Sequence, residues 1–493
     1  MSVTITQNRF DGGIADDKRS QSSVEIYNAL NFDLQSNPNR ATPIVNTEAE
    51  AMTSGDIKEK RVSDMFLDDN GNLVFAGRNG NASPTVIDLI AKDDTKDITS
   101  TMTSFTTLSG VSLYVKNSVA TYQNKTFLIS GDNHIRTYDG SWTDLGATGT
   151  SNWAEMGQAK PYRHLADDLL YISQRNLIMR TNLAGTSFST YFTFSTRYVV
   201  TSMTNYSSDL AVAISPMYSG HSYLAILDRI STNTSPRNLI DWGAGSLAIV
   251  ENIQDVIIGV STNEVLFTPA TTFSSAKTKK IFVKAYSGGS VEIIKEITVP
   301  STVKLKQLKF VRDNKLYFGC DNDDALYCVR KNKSGVWVVN KEHYIANGEV
   351  ITNLQGFAFA GDYLFTMYDT AGDNGFLSRT NDTNTYTSSS VIETLINPNM
   401  SLSDRSKKKQ LKSFSISKAS TTGSASIYYS VDGSSYVLLG TTADTETMVL
   451  KGINEASATP LATGYEFQFK LVSTGGAEIT EYKYSYEEIK EQI

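Results

Sequence analysis

A recurring order of strands and turns constrains the fold of this chain more than any other feature of its sequence. From about residue 61 to 390, an apolar strand, a turn of Asp, Asn and Gly, a second apolar strand and a third carrying Tyr, Leu or Ile follow one another repeatedly. Successive copies lie about 50 residues apart, a spacing that suits one four-stranded sheet each. The seven copies begin at Val62, Ser118, Arg163, Thr204, Ala248, Leu308 and Leu354.

Repeats of this kind predict a β-propeller, in which each blade buries its faces against its neighbours and ring closure removes free sheet edges. The copies carry no WD or kelch signature, so we expect about seven degenerate blades, within a range of six to eight. Asp69-Asn70-Gly71-Asn72 and Asp139-Gly140 are good turn formers between apolar strands and predict tight hairpins. A string of separate β-sandwiches is the alternative, but it explains the repeated order of elements less readily.

Composition supports an all-β fold of more than one core. The 493 residues exceed the size at which a single core keeps growing, and they include 25 Tyr, 21 Phe and 33 Gly. The one helix candidate is Ser23–Leu30, because Pro38 and Pro43 would end any regular element after it.

Three segments are predicted: an arm and docking segment at 1–60, the propeller at 61–390 and a β-sandwich with a C-terminal tail at 391–493. The arm lacks the pattern of a self-sufficient core, so either the chain's own propeller or sandwich or another chain must cover its apolar side chains. For the first 20 residues we expect another chain, with Gly12-Gly13 as a joint. These apolar residues are Phe10, Ile14, Ile26, Tyr27, Leu30, Phe32 and Leu34.

The sandwich is predicted from strict alternation after the basic stretch Asp404–Lys412. Alternation places the members of three sets on one face each, namely Phe414 with Ile416, Ile427 with Tyr429, and Tyr465 with Phe467 and Phe469. The tail alternates Tyr482, Tyr484 and Tyr486, so it either ends the sandwich or pairs with the arm.

Charge and hydropathy argue against several classes of protein. The formal net charge of -7 and the scattered Lys and Arg make tight or specific nucleic-acid binding an unfavoured function, although DNA could pass nearby. The N-terminus resembles no signal peptide, and no apolar stretch approaches a membrane span, so we expect neither Sec export nor a membrane span. Cys320 and Cys328 match no metal or redox spacing and are expected to be small buried hydrophobes on neighbouring strands.

Candidate chemistry is sparse. No two of His134, His164, His221 and His343 are spaced as a chelating pair, and the acidic clusters at 68–72 and 321–324 lack the Gly and Glu positions of a calcium loop. Hairpin turns explain both clusters better. We therefore expect no enzyme, no cofactor and no catalytic or metal-binding residues, although a glycosidase carboxylate pair stays open.

Tyr428–Tyr436 is similar to the Asp-box of sialidases, S-x-D-x-G-x-T-W, but its glycine comes one place early and its Thr-Trp end is missing. In sialidases that motif is a structural turn between strands. The similarity therefore indicates a turn and not a catalytic residue.

Two stretches resemble propeller-containing structural proteins of tailed bacteriophages, of the tail nozzle, hub or tail-tip type. The first comprises F-D-G-G-I-A-D-D at 10–17 and N-A-L-N-F-D at 28–33 with Pro38. The second comprises KKQLKSFSIS, I-Y-Y-S-V-D-G at 427–433 and Y-E-F-Q-F-K-L at 465–471. The resemblance concerns architecture and assigns no residue a chemical role.

The leading hypothesis is therefore a non-enzymatic virion component, made in the host cytoplasm, that contacts other tail proteins and assembles as a homo-oligomeric ring. A carbohydrate-binding adhesin is one alternative, with Trp142, Trp153, Trp242 and Trp337 as sugar-stacking candidates, although blade packing is the simpler role for them. A propeller glycoside hydrolase is the other.

Overall fold

The structure of the protein is a computed structural model. It describes residues 2–10, 14–15, 19, 25–30, 32–34, 37, 39–43, 47–49, 60–69, 71–79, 86–92, 103–109, 119–129, 134–147, 161–164, 166–206, 208–217, 220–228, 235–245, 257–258, 266–273, 278–287, 290–300, 304–312, 315–321, 325–332, 336–344, 351–361, 363–370, 375–380, 390–400, 402–419, 421–443, 448–451, 453–454, 459–460 and 462–489.

The N-terminal segment is built of short strands. They are β1 (Ser2–Gln7), β2 (Asn28–Leu30), β3 (Phe32–Asp33), β4 (Thr42–Pro43) and β5 (Thr47–Ala49). The predicted helix at Ser23–Leu30 is wrong over its described part, since Ile26 bridges to Ile14 and the last three residues form β2. Pairing with a distant strand outweighs the weak local preference for a helix.

Over the described residues, seven four-stranded antiparallel sheets follow, which confirms the all-β propeller and its expected seven blades. Blades 1 to 4 comprise β6–β9 (Lys60–Leu67, Leu73–Asn79, Val86–Lys92, Thr103–Ser109), β10–β13 (Val119–Tyr122, Lys125–Ile129, His134–Tyr138, Trp142–Ala147), β14–β17 (Tyr162–His164, Leu169–Gln174, Leu177–Thr181, Phe188–Thr193) and β18–β21 (Tyr198–Tyr206, Asp209–Pro216, Gly220–Leu227, Asn238–Gly245).

Blades 5 to 7 complete the series. They comprise β22–β25 (Ile257–Ile258, Leu266–Phe273, Thr278–Ser287, Ser290–Pro300), β26–β29 (Lys304–Arg312, Lys315–Asp321, Ala325–Lys331, Trp337–Tyr344) and β30–β32 (Ile351–Ala360, Tyr363–Thr370, Gly375–Thr380) with β5 as fourth strand. The last blade thus takes its outer strand from the N-terminal segment.

The first strands of blades 7 and 1 close the ring. β30 packs on β6, where a Cβ added to Gly356 would lie 3.4 Å from the Cβ of Met65, at ordinary van der Waals distance. Neighbouring blades elsewhere share apolar clusters, as Ile129 of blade 2 and Ile172 of blade 3 show. β19 is buried along its whole length, which explains its continuous apolar sequence.

The elements of the C-terminal region are β33 (Ser390–Glu393), α1 (Leu402–Arg405), β34 (Lys409–Lys418), β35 (Ser424–Val431), β36 (Val437–Thr441), β37 (Met448–Lys451), β38 (Ile453–Asn454), β39 (Thr459–Pro460), β40 (Thr463–Gly464), β41 (Phe467–Thr474) and β42 (Ile479–Glu488). In the described residues they form, with β1 and β2, two larger sheets in the orders β1-β42-β34-β37 and β2-β33-β41-β35-β36. The strands β38 and β39 pair with each other as a separate two-stranded sheet.

The alternation predicted for these strands is confirmed. Phe414, Ile416, Ile427, Phe469 and the three tail tyrosines are buried in one core. The tail ends the sandwich and also pairs with the arm, because β42 lies between β34 and β1. Tyr465 is the exception, since it precedes β41 and is 42% exposed.

The chain's own sandwich covers several apolar side chains of the arm, so the expected cover by another chain is wrong for Phe10, the one of them within the first 20 residues. Phe10, Ile26, Phe32 and Leu34 are buried in the same core as Phe414. Two short edge strands let this segment bury its apolar residues without a core pattern of its own. Gly12-Gly13, the proposed joint, lies outside the described residues.

The chain divides into two compact units. One contains residues 1–47, 325–344 and 381–493, and the other contains residues 48–324 and 345–380. The predicted boundaries at residues 60 and 390 stay predictions. Within the described part of the chain, no helix has the length and apolarity that a membrane crossing requires.

Candidate functional site

The candidate site lies where hairpin turns of blades 1 to 4 meet. In a four-stranded antiparallel blade, the turns after the first and third strands share one end of the sheet. We call this end of blades 1 to 4 the turn face and define it by Asp68, Asp69, Asn124, Asp139, Asp167, Asp168, Asn182, Leu183 and Asp209.

The predicted turns at 69–72 and 139–140 are confirmed as hairpin turns. In the first, both carboxylate oxygens of Asp68 accept hydrogen bonds from Asn72, at 2.8 and 2.9 Å, and Gly71 has a φ of +84°. Gly140 has a φ of +106°. Only glycine adopts these angles readily, and the Asp68 carboxylate serves the turn itself.

Arg163 links the turns of three blades. Its Nε donates to Asp168 at 2.6 Å, its Nη1 lies 3.5 Å from Asp69, and its guanidinium lies 5.5 Å from the ring centroid of Tyr122. Asp69 also accepts a bond of 2.7 Å from the backbone N–H of Asn124. The bond from Arg163 lowers the pKa of Asp168, so this carboxylate stays charged near neutral pH.

A buried network continues from blade 3 to blade 4. His164 is fully buried, with Nδ1 3.2 Å from Asp167 and Nε2 3.1 Å from the carbonyl oxygen of Asp209. The Tyr171 hydroxyl donates to the other Asp167 oxygen at 2.6 Å. Burial, and next the Asp167 carboxylate, raises the pKa of Tyr171, which therefore remains a neutral donor.

A cleft of about 530 Å³ opens beside this network in blade 3. Its apolar wall is Leu169, Leu183 and Phe188, and its charged groups are Asp167 and Arg180. Leu183 is 66% exposed at the tip of its turn. The backbone of this turn is fixed because the carbonyl of Leu183 accepts a bond of 3.1 Å from Tyr122.

The cleft combines an apolar wall with charged groups that the structure holds in place. The guanidinium of Arg180 lies 5.1 Å from the ring centroid of Tyr191 and bonds the Tyr171 hydroxyl, so its position is set by blade 3. An apolar wall beside a fixed carboxylate and a fixed guanidinium suits the binding of an apolar side chain of a partner, whose backbone groups would meet the two charges. A smaller cleft of about 160 Å³ lies between blades 1 and 2, where Lys125 and Asp139 approach to 3.4 Å.

The structure separates the four histidines. His134 bonds Asp144 at 2.8 Å in blade 2, and His221 bonds Asp241 at 2.6 Å in blade 4. His343 is on β29. Sequence analysis missed both His–Asp pairs, although the two share a pattern. Each histidine is on the third strand of its blade, beside a bulge, and is paired with an alanine of the fourth strand. The aspartate lies three residues before that alanine.

Three of the four tryptophans and both cysteines lie on strands of the blades. The Trp142 ring packs 5.3 Å from that of Tyr138 at the end of a blade hairpin. Trp337 and Trp242 begin or lie within outer strands, and Trp153 falls outside the described residues. Cys328 is a buried free thiol on β28, as expected, and Cys320 is on β27. Residues 322–324 of the second acidic cluster fall outside the described part.

The Asp-box-like stretch forms a turn, as its likeness indicated. Asp432 and Gly433 have φ angles of 48° and 77°, between β35 and β36. The carboxylate of Asp432 accepts bonds from the backbone N–H groups of Tyr465 and Glu466, at 2.9 and 2.8 Å. A Cβ on Gly464 would lie 2.2 Å from Val431, so glycine is required there.

Comparison with known proteins gives no family and only distant structural similarities. No family model and no curated protein matches the chain. Solved structures similar to it include the C-terminal WD40 domain of Sif2 (10% identity, TM-score 0.42, covering 68% of this chain and 98% of that one). Others are YCF48 bound to a D1 peptide (13%, 0.42, 68% and 96%) and Kuenenia stuttgartiensis hydrazine synthase (10%, 0.45, 66% and 97%).

By the order of its sheets, this chain is an all-β propeller protein.

Proposed function

We propose that the protein is a non-enzymatic structural component of a bacteriophage tail, of the nozzle, hub or tail-tip type. The observation that carries the proposal is the use of the first 49 residues. They supply an edge strand to each sandwich sheet, through β1 and β2, and the outer strand of the last blade, through β5. A chain whose N-terminal segment completes three sheets resists unravelling from that end, which suits a part of a mechanical assembly.

The turn face supports a binding role within such an assembly. Its polar side chains are fixed by each other, as Arg163 and Asp69 illustrate, so the face presents a preorganised surface to a partner. The cleft beside Leu183 offers an apolar anchor point on that surface. We propose that this face contacts another tail protein.

The three described carboxyl groups whose pKa values shift are unsuited to donate a proton in catalysis. A glycoside hydrolase needs one carboxyl group whose pKa is raised so that it can donate a proton. The pKa values of Asp168 and Glu487 are lowered, chiefly by hydrogen bonds from Arg163 and Lys412. Burial alone would raise the pKa of Asp144, but the hydrogen bond from His134 and other donors outweigh it, so the pKa is lowered.

The test is to locate the chain in particles of the phage that encodes it. Density-gradient-purified particles would be analysed by mass spectrometry and labelled with gold-conjugated antibody against the chain. We expect the intact chain in the particles and label at the tail. Recovery of the chain only in the unassembled fraction would overturn the proposal.

One surface favours a carbohydrate-binding function as the second candidate. On the outer face of the sheet that contains β35 and β41, the Lys470 ammonium lies 4.6 Å from the ring centroid of Tyr428 and 4.9 Å from that of Tyr436. Tyrosine rings beside polar donors suit the alternating apolar and hydroxyl faces of a sugar. A glycan array would decide: binding lost in Tyr428→Ala and kept in Tyr465→Ala would support this function.

A further inference from the structure

The N-terminal strand β1 is the end strand of its sheet over the described residues. One side of its backbone pairs with β42 from Ser2↔Glu487 to Gln7↔Tyr482. The other side presents its N–H and C=O groups away from that pairing. An end strand of this kind accepts another extended strand, because its backbone groups gain hydrogen bonds.

The sequence of β1, SVTITQ, carries none of the usual protections of an exposed edge. It contains no charge, proline or glycine, and β-branched residues fill its centre. Val3 is 38% exposed although it is opposite Tyr486, a buried tyrosine of the sandwich core. Thr4 and Thr6 are exposed on the outer face.

We propose that β1 is the contact between two copies of this chain, which pair antiparallel about a two-fold axis at Thr4. In this register Val3 is opposite Ile5 of the second copy on the core face, and Thr4 is opposite Thr4 on the outer face. Apolar residues therefore meet apolar ones, and threonine meets threonine, which is a favourable cross-strand pair. The axis makes the contact self-complementary.

The neighbouring register fits less well. An axis at Ile5 would place Val3 opposite Gln7, whose amide donates to the carbonyl of Arg9 at 2.5 Å and accepts from Asn399. Gln7 is also 3% exposed, so it has little surface left for a second copy. The axis at Thr4 uses the exposed part of the strand.

Charge does not oppose this contact. The flanking charged groups of β42 are paired within one copy, Lys483 with Glu481 at 2.6 Å and Glu487 with Lys412 at 2.9 Å. These charges are therefore balanced within each copy. The occupant is a second copy because the same uncharged, self-complementary strand is present on both.

The experiment uses the full chain and measures its mass by light scattering after size exclusion. We expect a mass near twice the 54.1 kDa of one chain. Thr4→Lys brings two lysines together and should weaken dimerisation about tenfold or more. Thr6→Lys is the matched control, since position 6 is opposite position 2, and it should weaken dimerisation much less.

Two further measurements fix the register. Equimolar Thr4→Lys and Thr4→Glu chains should re-form a mixed dimer. Thr4→Cys should give a disulfide-linked dimer under mild oxidation, because directly opposite strand residues are about 4.5 to 5.5 Å apart, whereas Thr6→Cys should not. Melting curves of each variant show that the fold is kept.

A single-chain mass for the unaltered protein at every concentration would overturn the proposal. Equal effects of Thr4→Lys and Thr6→Lys would overturn the register, and larger assemblies that Thr4→Lys leaves intact would place the contact elsewhere. A protein that gives these results could still be found in tails, so this proposal and the proposed function fail separately.

Discussion

A buried lysine holds the start of β34 in place. Lys409 is fully buried, and its ammonium donates to the carbonyl oxygens of Arg405, Lys407 and Tyr465, at 3.3, 2.6 and 3.2 Å. Substitution by Met keeps most of the side-chain length and removes the three donors. Three carbonyl groups then lose the ammonium as a donor, although the carbonyl of Tyr465 keeps a bond of 2.9 Å from the side-chain amide of Asn397.

The loss should be measurable. An unsatisfied buried acceptor costs about 1 to 3 kcal/mol, but Met also removes the cost of burying a charge. We therefore expect Lys409→Met to destabilise its unit by about 1 to 3 kcal/mol in total, because no buried charge is left unpaired and one of the three carbonyls keeps another donor. Lys408→Met is the matched control, because that side chain is only partly buried and its loss should cost about 0.5 kcal/mol or less.

Amide hydrogen exchange measures this loss locally. Peptides covering β34 and β42 report on the sandwich, and a loss of 3 kcal/mol corresponds to exchange more than about 100-fold faster. Peptides from blades 1 to 4 serve as an internal reference. Exchange in Lys409→Met within about threefold of the Lys408→Met control would refute the reasoning, since it would mean the three carbonyls find other partners.

The effect should also depend on pH. Burial lowers the pKa of Lys409 below that of an exposed lysine. Between the lowered pKa and the ordinary one, the unfolded chain binds the proton and the folded chain does not, so stability rises with pH. The difference in exchange between the native protein and Lys409→Met should therefore widen as pH rises through this window.

Three other predictions concern the sandwich and blade 3. Gly464→Ala should prevent folding of the sandwich or lower its melting temperature sharply, because the added Cβ would meet Val431 at 2.2 Å; calorimetry checks this. His164→Leu should lower the melting temperature and loosen the blade 3 peptides in hydrogen exchange, since Asp167 loses a donor. Burial, and next Asp404, raises the pKa of Tyr486 to about 12, so its contribution to stability is full below pH 10 and lost as pH rises through 12. Tyrosinate absorbance followed with circular dichroism should show unfolding in that window, and ionisation without unfolding would contradict the prediction.

The repeats could be read from sequence because each blade carries its own local signals. Turn formers such as Gly71 and Gly140 have the left-handed φ angles that favour glycine, and apolar strands flank them. The sandwich could also be predicted from the sequence, since alternation of apolar and polar residues marks one buried face of each strand. Tyr482 and Tyr484 are buried as that pattern requires.

Pairing between strands that are far apart in the sequence has no comparable local signal. The residues Ser23–Leu30 have a fair helical pattern, yet β2 forms because β33 offers a sheet edge more than 360 residues later. The cleft at Leu183 was missed for a related reason. Its wall depends on how two turns of blade 3 fold together, which no spacing in the sequence reports.

The position of β5 has a consequence for how the propeller closes. β5 ends at Ala49, and its neighbour β32 begins at Gly375, so the ring cannot be completed until most of the chain is present. Closing a loop of this length costs about 5 kcal/mol in chain entropy. Three strand residues offer few hydrogen bonds to offset it. The packing of β30 on β6 must therefore supply much of the closing free energy, which makes the contact of Gly356 with Met65 part of ring closure and not merely of one blade.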